Sequence, residues 1–354
     1  MGFEIYIKGT LYRRWTAADV QLTYDSAASA FSIESSFDTQ DTAQKELLKS
    51  LSYPKVEIYV GARNPADDSN LLLTGVMTDD ETSSTASPGG IRIGGYSLSG
   101  VLLDCEIPLE SYPLQDDGKT LREITNKVLA PFGVNLFVNQ VARTDAAKTV
   151  KQAKAGETEK AASYITKLAA QFNIIVGNTR QGELLFTRVL GRGATPRGVY
   201  VEGEGSFTSI SKSVQGRQIF SRYTVLRQTE VDDNSPNNPQ ETVSETIVGA
   251  FRPQVKQQST GGADTTGNAA KSARMAGYKA VRFVLTVSTF FYVDGSIIKP
   301  NRVIKVKAPS IGLDTETELF VQQVTLSETA AGQTAVLTCL FKGALTGERV
   351  EGVF

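Results

Sequence analysis

Through the first hundred residues, apolar side chains fall on alternate positions. Phe3, Ile5 and Ile7 set the period, Val20, Leu22 and Tyr24 repeat it, and Phe31 and Ile33 carry it on. Residues 55–60 and 71–76 add two further apolar runs. A period of two is that of a strand with one buried face. Turn-rich stretches at 62–68 and 82–90 separate the runs, and residues 40–51 predict a short helix packed across one end. Short strands at this spacing predict a small antiparallel barrel or sandwich over residues 1–105.

The period changes after that. Residues 94–133 run through a glycine turn at Gly94-Gly95, a second turn at Gly100 and a predicted apolar strand over 101–105. A linker broken by Pro108 and Pro113 follows, with a turn at Asp117-Gly118. Thr120 lies three residues before Glu123, the spacing of a capping box, in which hydroxyl and carboxylate each satisfy the other residue's backbone N–H. Leu121, Ile124, Val128 and Leu129 share one helical face, and Pro131 and Gly133 end the helix. Residues 135–138 predict a strand, and a second helix starts near Thr158. Glu157 and Glu159 lie at its N-terminal end and Lys167 lies further on, as the helix dipole favours. Ala161, Ile165, Leu168 and Phe172 form its buried stripe. Residues 174–176 and 184–186 flank an Asn178/Gly182 turn and read as a hairpin. Residues 106–190 are therefore expected to form an α+β module.

From 191 to 228 the chain returns to strand character, clearest over 218–226. Residues 230–241, rich in Asp, Asn and Pro, predict a loop. Residues 254–268 are rich in Gln, Gly and Thr, and a helix is expected over 269–280. Residues 229–280 are read as an excursion from a second β unit made of 191–228 and 281–354. That unit closes with strands over 281–291, 302–307, 318–326 and 334–341, with turns at Pro300-Asn301 and Ala331-Gly332. The fold class is mainly β with α+β insertions.

Composition narrows the chemistry. The 354 residues are 40% hydrophobic and 21% charged, as in a globular chain of two or three domains. A formal charge of −1 argues against a surface that holds nucleic acid by neutralising phosphates. The chain has no histidine, which removes Ser-His-Asp and Cys-His nucleophile systems and histidine metal ligands. Its two cysteines, Cys105 and Cys339, sit in apolar runs and read as buried thiols, too few for a disulfide scaffold or a cysteine-based zinc site. No secretory leader is expected from residues 1–6, and no apolar run approaches the roughly 20 residues that span a bilayer.

The remaining motifs have ordinary readings. Gly262-Ala263-Asp264-Thr265-Thr266-Gly267 lacks the Lys-Ser/Thr that a phosphate loop needs after its last glycine. In the stretch 191–196, Pro196 stands where a dinucleotide-binding turn needs glycine. The acidic pairs Asp67-Asp68, Asp79-Asp80, Asp116-Asp117 and Asp232-Asp233 are read as solvated turns, not as carboxylates converging on a glycosidic bond. Arg13-Arg14 beside Trp15, then Arg188, Arg192 and Arg197, and Lys299 through Lys307 are scattered cations, read as strand edges or interfaces. No catalytic, cofactor-binding or metal-ligating residue is assigned.

Several stretches in order carry a resemblance. The segment Gly95-Tyr96-Ser97-Leu98-Ser99-Gly100, then Leu102, Asp104 and Cys105, is followed by a proline-rich link, Thr120-Leu121-Arg122-Glu123-Ile124 and Leu129-Ala130-Pro131-Phe132-Gly133. Gly182-Glu183-Leu184-Leu185-Phe186 continues it, and the C-terminal part adds Gly295 to Asn301 and Ile304 to Asp314, with Ile304 where the pattern has valine. Together these resemble the baseplate hub proteins of Mu-like contractile-tailed phages, in the late-control-D class. The resemblance implies two small tube-type β-barrel domains plus an α/β module in each chain, and a structural role without enzymatic activity or cofactor. It further implies a homotrimer joining the six-fold tail tube to a trimeric central spike, touching other baseplate proteins and lining a channel for the transient passage of DNA. The expected location is the virion tail baseplate, after synthesis and assembly in a host cytoplasm, with no membrane partner. The alternatives are a tail-associated cell-wall hydrolase and a receptor- or glycan-binding β-module.

Overall fold

The computed structural model describes residues 2–38, 40–64, 66–83, 89–151, 153–189, 194–227, 240–245, 248–258 and 266–346. Its first part holds β1 (Phe3–Ile7), β2 (Thr10–Tyr12), β3 (Trp15–Thr23), β4 (Ala30–Ser36), helix α1 (Thr42–Leu47), β5 (Lys55–Val60), β6 (Leu71–Ser83) and β7 (Gly90–Ser97). These strands are hydrogen-bonded in the order β2-β1-β5-β6-β7-β4-β3. The alternation dictates this directly, since Phe3, Ile5, Ile7, Val20, Leu22, Phe31, Ile33, Val56 and Ile58 are all buried.

The middle of the chain folds around a second core. Here lie α2 (Val101–Asp104), α3 (Leu121–Leu129), β8 (Leu136–Val138), α4 (Arg143–Ala146), α5 (Ala161–Ala170), β9 (Ile175–Asn178) and β10 (Leu184–Thr187). The capping box at Thr120 and Glu123 is present in both directions. Ala161, Ile165, Leu168 and Phe172 are buried together with the apolar face of α3. β9 and β10 form the expected hairpin, and β8 joins β10 in parallel.

Two local expectations are overturned. Residues 101–105 are not a strand: a 3-10 turn at Leu98–Gly100 runs into α2, and Cys105 caps its end, half-buried. The run VLLD is too short for its period to separate strand from helix. Gly94 and Gly95 are not a turn but lie inside β7. A Cβ on Gly95 would stand 2.1 Å from the Val76 carbonyl oxygen and 2.5 Å from the Phe31 ring, so the glycine makes room for both a neighbouring strand's backbone and a crossing side chain.

The last part holds β11 (Val199–Val201), β12 (Ser209–Val214), β13 (Arg222–Arg227), β14 (Gln240–Ser244), β15 (Pro253–Gln258), α6 (Thr266–Tyr278), β16 (Val281–Val287), β17 (Arg302–Ala308), β18 (Leu313–Thr329) and β19 (Gly332–Phe341). The strand expected over 218–226 begins only at Arg222, and it pairs with β14 and β15 in a separate three-stranded sheet. Residues 240–241, expected as loop, are part of β14, residues 254–258 lie in β15, and residues 230–239 lie outside those described.

The expected pair of closed barrels is instead one 13-stranded sheet whose pairing does not return on itself. The reason is β18, which runs from Leu313 to Thr329. Its first part pairs with β17, and its second part, Gln323 to Thr329, pairs with β3 of the first half.

Within that sheet the two halves repeat one plan. The order β3-β4-β7-β6-β5 is matched by β12-β16-β19-β18-β17, antiparallel throughout and in the same chain order. The irregularities correspond as well. Bulges at Met77/Asp79 and Ile58/Tyr59 answer those at Val321/Gln323 and Val306/Ala308. Tyr53 and Asn301, both left-handed without being glycine, stand two residues before Lys55 and Val303, which correspond to each other in the two units. In this alignment Phe31 matches Phe283, Ile33 matches Leu285, Val56 matches Ile304 and Ile93 matches Leu337, all buried. The flanking strands differ, since β1 runs antiparallel to β5 and β11 parallel to β17.

Candidate assembly surfaces

The joint between the halves shows how this chain builds a β–β interface. Val20 and Leu22 of β3 and Val324 and Leu326 of β18 are buried at it. Tyr24 N–H donates to the Gln322 carbonyl at 3.0 Å, and Gln322 Nε2 donates to Asp25 at 2.9 Å. Ser327 Oγ donates to Asp19, and Lys279 pairs with Asp25. Phe3 stacks on Phe290 at 4.8 Å, and Tyr24 meets Phe320 edge-on at 5.5 Å, so both halves share one apolar core.

Tyr24 also holds the middle module. Its hydroxyl donates to the Arg188 carbonyl at 2.6 Å, and burial pushes its pKa up to about 12. Asn178 Nδ2 donates to Ser26 O at 3.0 Å from the same module. Beside this contact a cleft of ≈ 490 Å³ opens between α2, α5 and the β3–β4 turn, with Lys160, Ser163 and Lys167 on its wall. Lys167 pairs with Glu159 at 2.8 Å.

The acidic pairs do not converge. Asp67 caps a 3-10 turn through the Ser69 N–H, and Asp79-Asp80 lie exposed within β6, not in a turn. Asp116 departs furthest from the solvated reading: it is buried, 4% exposed, and accepts from Lys119 at 2.6 Å and Lys127 at 2.9 Å. Sequence reasoning missed this because Lys127 reaches Asp116 from α3, eleven residues on, although Lys119 lies three residues away in the same turn. Asp232-Asp233, residues 262–265 and residues 191–193, including Arg192, lie outside those described. Among the described residues, no group of three or more Cys, Asp and Glu side chains could hold a metal ion.

The cations noted in the sequence are dispersed, and most of those described are engaged. Arg14 pairs with Asp41 at 2.7 Å, Arg197 with Asp294 at 3.1 Å and Lys305 with Glu316 at 3.0 Å. Arg188 pairs with Asp145 at 2.7 Å and donates to the Phe172 carbonyl at 2.8 Å. Lys299 donates to the Ser69 and Leu71 carbonyls at 2.8 and 3.2 Å. Among the described residues these cations do not form one continuous basic stripe.

What the surface does present is apolar side chains and open strand edges. Leu51, Leu109, Phe251 and Val293 are 81%, 78%, 76% and 68% exposed. Arg222 lies over the Phe251 ring at 5.2 Å, and Arg252 over Phe220 at 5.8 Å, so the small sheet carries a face of aromatic rings and guanidinium groups. Among the described residues β12 pairs only with β16, which leaves its other edge open. β6 beyond Met77 pairs only with β7, and residues 79–83 are exposed.

Comparison with known proteins agrees with this architecture. Residues 99–188 match the family model described as baseplate hub protein gp44-like, second domain. The chain shares its fold with a 43 kDa tail protein of prophage MuSo2 from Shewanella oneidensis, at 21% identity and a TM-score of 0.79, covering 98% of this chain and 100% of that one. A tail protein from Neisseria meningitidis MC58 is similar at 15% identity and a TM-score of 0.77, covering 98% and 99%. The E. coli c3393 protein, a type VI secretion component described as similar to the T4 tail proteins gp27 and gp5, aligns at 10% identity and a TM-score of 0.59, covering 98% and 79%. No curated protein matches the chain. The likeness to baseplate hub proteins read from residues 95–133 and 182–186 thus coincides with the segment that the family model matches.

Proposed function

We propose that the protein is a structural baseplate hub: a homotrimer that joins a six-fold tail tube to a trimeric central spike in the virion baseplate, and catalyses nothing. The observation that carries this is the duplicated five-strand plan within one chain. Three chains with two like units each present six similar surfaces to a tube ring, and keep three-fold symmetry for a spike. In this reading residues 1–105 form the first unit, 106–190 the module, and 191–228 with 281–354 the second unit, interrupted by 229–280. The exposed Leu109 and Phe251 suit further baseplate partners, since both stand on elements outside the large sheet.

A channel through the ring would let DNA pass without gripping it. The net charge of −1 and the pairing of Arg14, Arg188 and Arg197 with carboxylates support a lumen poor in free positive charge. The test is the solution mass by light scattering, together with a cell-wall zymogram. Three times the chain mass with no clearing is expected. A monomer at all concentrations overturns the hub, and clearing of the cell wall overturns the purely structural role.

A further inference from the structure

The internal repeat says more about how copies meet. Within each chain, β3 of the first unit docks on the second segment of β18, beyond the bulge at Val321/Gln323. In the repeat β3 corresponds to β12 and β18 to β6. The matching parts, β12 and residues 79–83 of β6, are the two open edges described above. We propose that β12 of one chain pairs antiparallel with residues 79–83 of β6 in the next, reproducing between chains the joint that β3 and β18 make within each. This rests on the homo-oligomeric reading of the function and supplies its contact residues. Because the two surfaces differ, the contact is head-to-tail, and copies related by a rotation close into a ring.

The register follows from the internal joint. Transferring the pairing of Thr23 with Gln323 and of Ala17 with Thr329 places Asp79 opposite Gln215, Glu81 opposite Ser213 and Ser83 opposite Ser211. Asp80 then faces Val214, and Thr82 faces Lys212.

Three observations favour a second copy as the occupant. First, charge is complementary. The β6 edge carries Asp79, Asp80 and Glu81, while the β12 side carries Lys212 and Arg282, the latter directly across from Ser213. Second, a groove of ≈ 210 Å³ runs beside the β6 edge, with Asp80 and Thr82 on one wall and Leu48 and Leu51 on the other. Lys45 and Lys49 also line it, so part of the acidic field is already balanced. The exposed Leu51 supplies apolar surface to meet Val214, itself 42% exposed. Third, β12 has the sequence SISKSV, with Ser209, Ser211, Ser213 and Val214 exposed. It is short and carries a lysine, features that discourage pairing with an edge lacking complementary charge.

The test is a cysteine pair at the position where side chains would approach most closely. Since Tyr24 and Gln322 are hydrogen-bonded partners of the internal joint, Glu81 and Ser213 fall on a non-hydrogen-bonded pair. Such pairs bring Cα atoms to about 4.5 Å, within disulfide reach. The full-length chain carrying Glu81→Cys, Ser213→Cys and Cys105→Ser is oxidised, run on a non-reducing gel and weighed by light scattering. A ladder of covalent oligomers ending at the solution stoichiometry is expected. A control moving the second cysteine to Val199→Cys on the β11 edge should give none. An oligomer of unchanged mass that does not cross-link above the control overturns this pairing and leaves the hub reading standing; a monomer overturns both.

Charge reversal covers the case in which the cysteine protein fails to fold. Lys212→Glu should weaken self-association about fivefold, and adding Asp80→Lys should restore at least half of the loss. Equal association in all three proteins overturns the pairing.

Discussion

Asp116 is 4% exposed and holds the amines of Lys119 and Lys127, and its own N–H donates to the Ala153 carbonyl at 2.8 Å. It therefore ties the linker before α3 to both the helix and the segment before α5. Removing a buried carboxylate leaves its cations uncompensated, at a cost that can reach several kcal/mol. Lys119 and Lys127 are 49% and 23% exposed, so water relieves part of it. Asp116→Ala is expected to cost about 2–3 kcal/mol in urea unfolding, whereas Lys119→Ala should cost less than about 1 kcal/mol. Equal losses would show that the carboxylate is not the centre of the cluster. Lys299 presents the opposite situation. Burial, reinforced by Arg180 and Arg302, lowers its amine to about 8. Between that value and the unfolded value near 10.4 the unfolded chain binds more protons, so stability contributed at this site rises with pH. The stability of the wild type minus that of Lys299→Met should rise by roughly 1–2 kcal/mol from pH 7.5 to 9.5, measured by denaturant midpoints at each pH. A flat difference would show that the amine is not desolvated. Neither residue was legible as a site, because a carboxylate in a Gln-Asp-Asp-Gly string looks solvated until the fold brings lysines to it.

At the scale of elements, legibility followed the signal each stretch carries. The α3 helix has a capping box, an apolar face and a glycine stop, three independent cues that agree, and it forms where they place it. Thr120→Ala should cost about 1 kcal/mol by thermal or urea unfolding, and no loss would mean the box is redundant with packing. The stretch before it misled for a physical reason. Gly94 and Gly95 resemble a turn, but glycine also serves where a side chain crosses a strand, and Phe31 lies over Gly95. Gly95→Ala is therefore expected to destabilise by about 2–3 kcal/mol through overpacking, while Phe31→Leu in the same chain should recover part of that. If the alanine is neutral in urea unfolding, neither the Val76 carbonyl nor the Phe31 ring requires glycine at this position. Of the small sheet, β13 was legible from its alternation, with Tyr223 and Val225 buried, whereas β14 (QETVS) and β15 (PQVKQQ) escaped the sequence reading because they are mostly polar. Period alone does not reveal which sheet a strand joins.

The duplication belongs to the whole molecule and is the part the sequence hid most completely. Corresponding positions keep only their burial, such as Ile58 with Val306 or Ile93 with Leu337, and the connections between corresponding strands differ widely in length. β3 and β4 are joined by residues 24–29, whereas β12 and β16 are separated by everything from 215 to 280, including the small sheet and α6. Yet Gln215 N–H donates to the Ala280 carbonyl at 2.9 Å, so this long insertion leaves and re-enters the large sheet at one point. The repeat then makes a strong claim: the second unit needs only a turn there, as the first unit does. Replacing residues 216–279 by Asn-Gly, the preferred two-residue hairpin link, should give a soluble protein with an increased share of strand signal in circular dichroism. It should keep the oligomeric mass of the full chain, since neither β12 nor residues 79–83 of β6 lies in the excised part. Some stability is lost, because Ile219 and Tyr278 pack against the main core and Lys279 pairs with Asp25. Recovery only as aggregate would mean that the excursion is integral to the second unit. A folded but monomeric product would instead place the contacts between copies on the small sheet, where Phe251 and Val255 stand exposed.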